Sequence, residues 1–303
     1  MRNPIEYFEM RKLLSIILIL LVVVFTACIG NTKPQDKGGK GVELVDSTDQ
    51  AIFNSIKEIV QRQSLDSLSI DLRIIEIAKM FLQTPYVGGT LEGNGPEKLR
   101  VNFRQLDCTT YLENVVVLSA IAGMKDFNES DFLKELETLR YRNGKLTNYT
   151  SRLHYFTDWI FENESKGIVK NITAEIGGVK YDKNVNFMST HVESYAALKA
   201  DSSYVKIIRA NENAINNRKM YFIPEEEIFK VEKEILNGDL IAITTKIKGL
   251  EISHVGIALH VNDRLHLMHA SSHAKKVVIS ETPLADMLSK NKLQSGIMVV
   301  RVQ

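Results

Sequence analysis

The sequence predicts an α+β fold, because helical patterns fill the first part of the folded chain and β-rich segments fill the last. Apolar residues recur at helical spacing over residues 49–63 and 69–82, and four β-rich runs follow residue 237. Residues 125–237, which are polar and mixed in character, separate these two parts. We therefore expect N-terminal helices packed on an antiparallel sheet, with residues 125–237 as a large central insertion.

The N-terminus is typical of a secretory signal. Two basic residues precede an apolar run over residues 13–25, which is shorter than the roughly 20 residues that a membrane-spanning helix needs. Thr26-Ala27-Cys28 follows, with small residues directly before a cysteine. We expect a lipoprotein signal peptide over residues 1–27 and a lipid on Cys28, with a plain signal anchor as the alternative. Met10 is as suitable a start as Met1.

Residues 28–47 are polar and glycine-rich, which predicts a flexible tether before one folded domain over residues 48–303. The formal net charge of +1 gives no indication of nucleic-acid binding. We expect a monomer held to the membrane by the lipid on Cys28. A periplasm-facing position in a Gram-negative envelope is the first expectation, and exposure on the cell surface is the alternative.

The elements follow from local patterns. Ser47 and Ser69 are expected N-caps of the first two helices, a loop with four glycines and two prolines covers residues 85–96, and an apolar helix covers residues 108–124. Further helices are expected over 129–140 and 151–163, with irregular chain and short strands after them and a short helix from Pro224. The expected strands are 238–244, 254–261, 264–270 and 296–302, and Asn262-Asp263 forms a tight hairpin.

Cys108 is a candidate nucleophile, because the lipid expected on Cys28, the other cysteine, leaves it no disulfide partner. Asp107 is a natural N-cap, which places Cys108 in the first turn of an apolar helix. A helix N-terminus and a neighbouring imidazolium both lower the pKa of a thiol, and backbone N–H groups there can receive an oxyanion. The alternative is a cysteine that packs as a small apolar side chain.

His254 is the expected base. In the strand that carries it, His254 and Gly256 share one face while Val255 and Ile257 take the apolar one, so the glycine leaves room for a substrate or a helix. His269 on the next strand can bond the second ring nitrogen of His254 and orient it. A lone strand histidine is otherwise a surface residue, and we expect His260 and His266 to be structural or exposed.

These residues lie in ordered motifs that resemble those of the NlpC-type cell-wall cysteine amidases. The motifs are Pro85-Tyr86-Val87-Gly88-Gly89, Leu106-Asp107-Cys108-Thr109, Gly238-Asp239-Leu240, Ser253-His254-Val255-Gly256-Ile257 and His269-Ala270-Ser271. The resemblance implies a papain-like core, Cys108 as nucleophile, His254 as base and then acid, and His269 as orienting residue. Tyr86 and Asp107 are expected substrate contacts. Thr109 stands where that superfamily often has serine.

The central segment narrows the resemblance. Residues 151–159 and 186–191 resemble a lipoprotein family, formerly a domain of unknown function, whose members are similar to N-acetylmuramoyl-L-alanine amidases acting on anhydro-muropeptides. We expect Trp159 and Tyr155 to stack on a sugar ring, and three polar side chains to bond its hydroxyls: Arg152, Asp158 and His191. The alternative is that Trp159 belongs to the core, since its apolar neighbours have helical spacing.

We therefore expect a cysteine amidase that cuts the lactyl–L-Ala amide of muropeptides during cell-wall recycling. An endopeptidase cutting between D-Glu and the diamino acid is the runner-up, and a non-catalytic lipoprotein that binds wall fragments is the alternative of another class. A pocket walled by residues 150–195 favours the amidase, whereas an open groove favours the endopeptidase. No cofactor is expected, and no metal, because His266 and His269 face opposite sides of one strand.

Overall fold

The computed structural model describes residues 46–93 and 95–303, which belong to one compact unit over Gly41–Gln303. The expected signal peptide, the choice between Met1 and Met10, Cys28 and nearly all of the expected tether lie outside the described residues. Within the described part, no helix is long and apolar enough to cross a membrane.

Helices precede most of the strands, as expected. The described helices are α1 (Ser47–Arg62), α2 (Ile70–Met80), α3 (Cys108–Ile121), α4 (Glu129–Arg140), α5 (Phe156–Ser165), α6 (Phe187–Thr190), α7 (Ala196–Ala200), α8 (Ser202–Asn216), α9 (Ile228–Val231) and α10 (Leu284–Ser289). The described strands are β1 (Val169–Asn171), β2 (Val179–Lys180), β3 (Tyr221–Pro224), β4 (Leu240–Thr245), β5 (Ile252–Val261), β6 (Arg264–Ser271), β7 (Lys276–Ile279) and β8 (Gln294–Val302).

The strands of the described residues form one antiparallel sheet in the order β2-β3-β8-β4-β5-β6-β7, with β1 also paired to β8. This confirms the α+β prediction. The β5–β6 connection is the tight hairpin predicted at Asn262-Asp263. Both residues have positive φ, 51° and 61°, as a two-residue turn of the twist-compatible type requires.

Both faces of the sheet are buried at its central strands. Helix α3 packs against β5 and β6 in a first core, to which the sheet contributes Val255 and Ile257. The opposite face lies in a second core, which contains Ala258 and Leu267 together with Leu284 of α10. The expectation of one apolar face on β5 is therefore wrong, since helical and irregular chain covers the other face as well.

The central segment is part of the main body rather than a separate lobe. Its strands β1 and β3 pair with β8, where Val169 lies opposite Val302 and Ile223 lies opposite Ile297. Its helices contribute Trp159 to the first core. Residues 125–237 are thus an insertion in chain order, but they complete the sheet that the C-terminal strands begin.

Several boundaries differ from those expected. Helix α1 is capped by Asp46, whose carboxylate accepts a hydrogen bond from the Thr48 N–H at 2.8 Å, and not by Ser47. Helix α5 begins at Phe156 instead of residue 151, because a separate 3₁₀ turn covers Tyr149–Ser151. Helices α6–α8 occupy chain that was expected to be irregular or strand.

Candidate active site

The N-terminus of α3 is fixed by a reciprocal cap. The Asp107 carboxylate accepts a hydrogen bond from the Thr110 N–H at 2.8 Å, and the Asp107 N–H donates to the Thr110 hydroxyl at 2.9 Å. This capping box confirms Asp107 as N-cap and places Cys108 at the first helical position. Asp107 therefore serves the helix, whereas contact with a substrate was expected.

The sulfur of Cys108 lies against strand β5. The side chain is half-buried, packs on the first core, and lies close to the backbone of Val255 and to Thr109. Burial, followed by the charge of Asp107, nevertheless raises the pKa of the thiol to about 11. The expected lowering is wrong in direction, because desolvation of the thiolate outweighs the N–H groups that stabilise it. The thiol is protonated at neutral pH.

His254 and His269 form the contact that was expected of them. Nε2 of His254 lies 2.6 Å from Nδ1 of His269, and the two rings are nearly perpendicular, with centroids 4.8 Å apart. His254 directly precedes Val255, whose N–H approaches the Cys108 sulfur. The two histidines and the cysteine are thus brought to the same end of α3.

Both imidazoles are neutral at pH 7. Burial, and then the nearby His269, lowers the pKa of His254 to about 3, and burial lowers the pKa of His269 to about 4. In a neutral pair one ring donates its N–H to the lone pair of the other. When His254 Nε2–H donates to His269 Nδ1, the Nδ1 of His254 keeps a free lone pair and can act as a base.

Gly256 makes room for the second histidine. A Cβ atom at this position would lie 2.8 Å from the Leu267 side chain and 3.0 Å from Cβ of His269. The glycine was expected to leave room for a substrate or a helix. It is instead required by the close approach of β6, and a side chain here would push His269 away.

Tyr86 lies beside the nucleophile, as expected. Its backbone forms a parallel bridge with Leu106, two residues before Cys108. Burial, followed by the charges of Cys108 and Asp107, raises the pKa of its phenol. Tyr86 is therefore a neutral hydroxyl placed close to the sulfur.

A cavity of about 890 Å³ opens at the two histidines, and we call it the histidine cavity. Its lining includes His254, His269, Ser253 and Lys276, but neither Cys108 nor any residue of 150–195. The expected wall from the central segment is absent from it. The cavity reaches the site from the imidazole side.

With this geometry in place, a comparison with family models gives a match over most of the chain. A model described as AmiA-like, N-acetylmuramoyl-L-alanine amidase-like, covers residues 76–297. The chain belongs to the AmiA-like family. The match includes Cys108, His254 and His269, but the family assignment by itself gives none of them a role.

Solved structures similar to this AmiA-like chain carry different names. A Bacteroides uniformis N-acetylmuramoyl-L-alanine amidase has 34% identity and a TM-score of 0.74, covering 77% of this chain and 99% of that one. A Bacteroides fragilis protein named as a candidate xylanase has 38% identity and a TM-score of 0.72, covering 75% and 100%. A Legionella pneumophila protein of a domain family of unknown function has 25% identity and a TM-score of 0.64, covering 84% and 96%. The curated proteins contain no match.

Two of the expected sugar contacts hold this AmiA-like fold together. Arg152 is buried, pairs with Glu92 and lies 3.6 Å from Glu97, so it ties down the loop after Tyr86. The buried Tyr155 hydroxyl donates to Glu212 at 2.7 Å and accepts the Met188 N–H at 2.8 Å. Their polar groups already have partners inside the protein, so the expected sugar contacts are corrected to structural roles.

Trp159 is part of the core, as the alternative interpretation predicted. It is 0% exposed, stacks on Phe156 with centroids 4.8 Å apart, and donates its indole N–H to Glu113 at 3.2 Å. A ring enclosed on all sides cannot stack on a sugar. The expected stacking role is therefore wrong in this structure.

The remaining two expected contacts also have intramolecular partners. The Asp158 carboxylate is buried and bonds to both Arg142 and Arg218, the latter at 2.7 Å. His191 is exposed, stacks on Phe187 and lies outside the lining of the histidine cavity. Asp158 is thus a structural ion-pair residue, and His191 is not brought to the cysteine and histidines by any contact seen here.

Lys276 was missed because β7 was not expected. This strand is four residues long, and its Val277-Val278 pair is too short a signal to identify a strand.

His266 is structural, since its Nδ1 bonds the Ser280 carbonyl at 2.8 Å. Among the described residues, no group of three His, Cys, Asp or Glu side chains is placed to hold a metal ion.

Proposed function

We propose that the protein is a cysteine-dependent N-acetylmuramoyl-L-alanine amidase that hydrolyses the lactyl–L-Ala amide of muropeptides, including anhydro-muropeptides, in peptidoglycan turnover. The observation that carries the proposal is the 2.6 Å bond between His254 and His269 beside the helix that begins at Cys108. The AmiA-like family match supports the amide as the bond cleaved. We place the chain in the NlpC-type superfamily with a papain-like core.

The first step is attack of Cys108 on the lactyl carbonyl carbon. Burial raises the pKa of the Cys108 thiol and lowers the pKa of His254, so both groups favour their neutral forms before substrate binds. His254 Nδ1 therefore takes the thiol proton as the S–C bond forms, in the manner of a general base. The carbonyl oxygen becomes an oxyanion, and N–H groups at the start of α3 are positioned to bind it.

The second half returns the proton. The C–N bond breaks, the imidazolium of His254 gives its proton to the departing L-Ala amine, and a thioester joins the sugar lactyl group to Cys108. Water, deprotonated by His254, then attacks the thioester and releases the sugar carboxylic acid and the free thiol. His269 holds the imidazole of His254 in place through both halves.

The endopeptidase remains the runner-up. The histidine cavity is not walled by residues 150–195, and this open form favours cleavage within the stem peptide. The family match and the named B. uniformis structure favour the amide next to the sugar. We give more weight to the family match and to the named structure. The central segment has a structural role, which explains why it does not line the histidine cavity.

Two other functions fit the site less well. Glycoside hydrolysis requires a pair of carboxyl groups, whereas Glu281 is the one carboxylate among the described lining residues of the histidine cavity. A non-catalytic lipoprotein that only binds wall fragments does not require the Cys108, His254 and His269 arrangement. We keep the expected envelope location, the lipid on Cys28, muropeptide partners and a monomeric state as parts of the proposal, supported by the sequence.

Mass spectrometry of products from a defined anhydro-disaccharide peptide tests the proposal. Free disaccharide identifies the amidase, and a sugar-bound dipeptide identifies the endopeptidase. Cys108→Ala should reduce turnover at least about 1,000-fold. Thr109→Ser, a matched change next to the nucleophile, should retain activity. Unchanged cleavage by Cys108→Ala would eliminate the cysteine mechanism.

A further inference from the structure

We infer that Lys276 recognises a carboxylate of the departing stem peptide and so helps to select the substrate. The inference rests on the proposed function and deepens it, because it concerns which part of a muropeptide occupies the histidine cavity.

The direction in which the substrate lies follows from the chemistry. The group that protonates the leaving amine must be next to that nitrogen, so the leaving peptide lies on the side of His254. The acyl part, which becomes attached to sulfur, lies on the side of Cys108 and Tyr86. The histidine cavity is lined by His254 and His269 but not by Cys108. It is therefore on the leaving-group side, and its volume suits a short peptide.

Lys276 is held in this cavity by three contacts. Its backbone, at the start of β7, pairs with Ser271 of β6 and forms an antiparallel bridge with Pro85, next to Tyr86. Its ammonium donates to the Gln83 side-chain oxygen at 2.6 Å. Within the described residues it forms no ion pair, so two of its three N–H donors and its charge remain for a ligand.

The charge pattern favours an anion at Lys276. The other side chain of formal charge in the lining is Glu281, and neither residue is paired to the other. The rest of the nearby polar lining consists of neutral groups, including Ser271 and Gln83. A muropeptide stem carries a free carboxylate on its second residue and another at its end. Either lies on the leaving side of the lactyl–L-Ala bond.

Paired substrates and paired variants test the inference. The anhydro-disaccharide peptide is prepared with each stem carboxylate either free or converted to an amide. Lys276→Gln should lower kcat/KM roughly 10- to 100-fold for the acid that Lys276 binds, and should leave the matching amide unchanged. Lys276→Arg, which keeps the charge, should retain most of the preference. Lys275→Gln removes the charge of an exposed neighbour outside the cavity lining and should behave as wild type.

The two amidated substrates identify the carboxylate that is bound. Equal losses with acid and amide, or the same loss in Lys275→Gln, would overturn the assignment.

A binding experiment separates this inference from the proposed function. Free stem tripeptide and its amides are titrated by calorimetry into the Cys108→Ala protein. The acid should bind at least about 10-fold more tightly than the amide, and Lys276→Gln in the same background should abolish the difference. Failure of wild-type cleavage alone defeats the proposed function, whereas absence of this preference defeats the role of Lys276.

Discussion

At the scale of single residues, the site combines a protonated thiol with neutral imidazoles. Cys108 has the helix N-terminus that was expected to activate it, yet burial raises its pKa. The sequence predicts the position of Cys108 at the start of its helix and the contact between His254 and His269, because a helix cap and strand alternation are local patterns. It does not reveal the direction of the pKa shifts, since these depend on which distant side chains exclude water.

The rate at which Cys108 is alkylated should therefore rise with pH throughout the neutral range. Below a thiol pKa of about 11 the thiolate fraction grows about tenfold per pH unit, so iodoacetamide should react about 100 times faster at pH 8.5 than at pH 6.5. Intact-protein mass spectrometry gives the rates, with free cysteine as a reference. A rate that is already constant above pH 6 would indicate a preformed thiolate–imidazolium pair instead.

His269 should act as a positioning residue. His269→Ala removes the 2.6 Å contact that fixes the His254 ring, and should lower kcat by about 100-fold while KM changes little. His269→Asn, which restores a hydrogen-bonding group, should recover part of kcat. Steady-state kinetics on one muropeptide gives both constants. A rise in KM alone would assign His269 to substrate binding.

At the scale of elements, the strong patterns were predictable and the weak ones were not. Helix α4 and the β5–β6 hairpin match expectation, because each has its own capping or turn residues. Helix α8 was missed since the polar Glu212 lies on its buried face between Ile208 and Ile215 and interrupts the apolar stripe. Strand β7 was not predicted either, so Lys276 was not recognised as a site residue.

The β5–β6 pair should not tolerate a side chain at Gly256. Gly256→Ala places a Cβ 2.8 Å from Leu267 and 3.0 Å from His269 Cβ, so it should cost about 1–3 kcal/mol of unfolding free energy and also reduce activity. Urea denaturation measures the first effect. Gly88→Ala, whose Cβ would meet Tyr86 at an ordinary 3.6 Å, is the stability control. Equal stability of the two variants would contradict the packing described.

At the scale of the whole molecule, one sheet joins parts of the chain that are far apart in sequence. Strands β1 and β3 are short, and their pairing with β8 gives them their structure. Such short strands have little recognisable sequence pattern, so the sequence predicts residues 125–237 only as an insertion. The antiparallel α+β class was predictable, because β4, β5, β6 and β8 are long and apolar.

The fold should lose stability in mild acid. Burial lowers the pKa of His154 and of His254 to about 3 and that of His269 to about 4. As the pH falls, the histidines of the unfolded chain become protonated near pH 6.5, at a higher pH than those of the folded protein. The free energy of unfolding is therefore at its full value above about pH 6.5 and decreases below it. Each group contributes up to about 1.4 kcal/mol per pH unit in this window.

Urea midpoints measured between pH 7.5 and 4.5 check this pH dependence. His154→Gln should reduce the slope of unfolding free energy against pH by the amount that corresponds to one proton. His273→Gln, at an exposed position, should leave this slope unchanged. Stability that is constant down to pH 5 would show that these histidines are not held neutral.

The central claim is that Cys108 forms a thioester with the sugar lactyl group, and rapid acid quenching followed by peptide mass mapping tests it most directly. With an anhydro-disaccharide peptide as substrate, we expect the peptide that contains Cys108 to gain the mass of the anhydro-disaccharide acyl group. An adduct that also carries L-Ala and D-Glu would instead identify the endopeptidase. Turnover without any adduct on Cys108, in a quench that captures a control thioester, would contradict the cysteine mechanism.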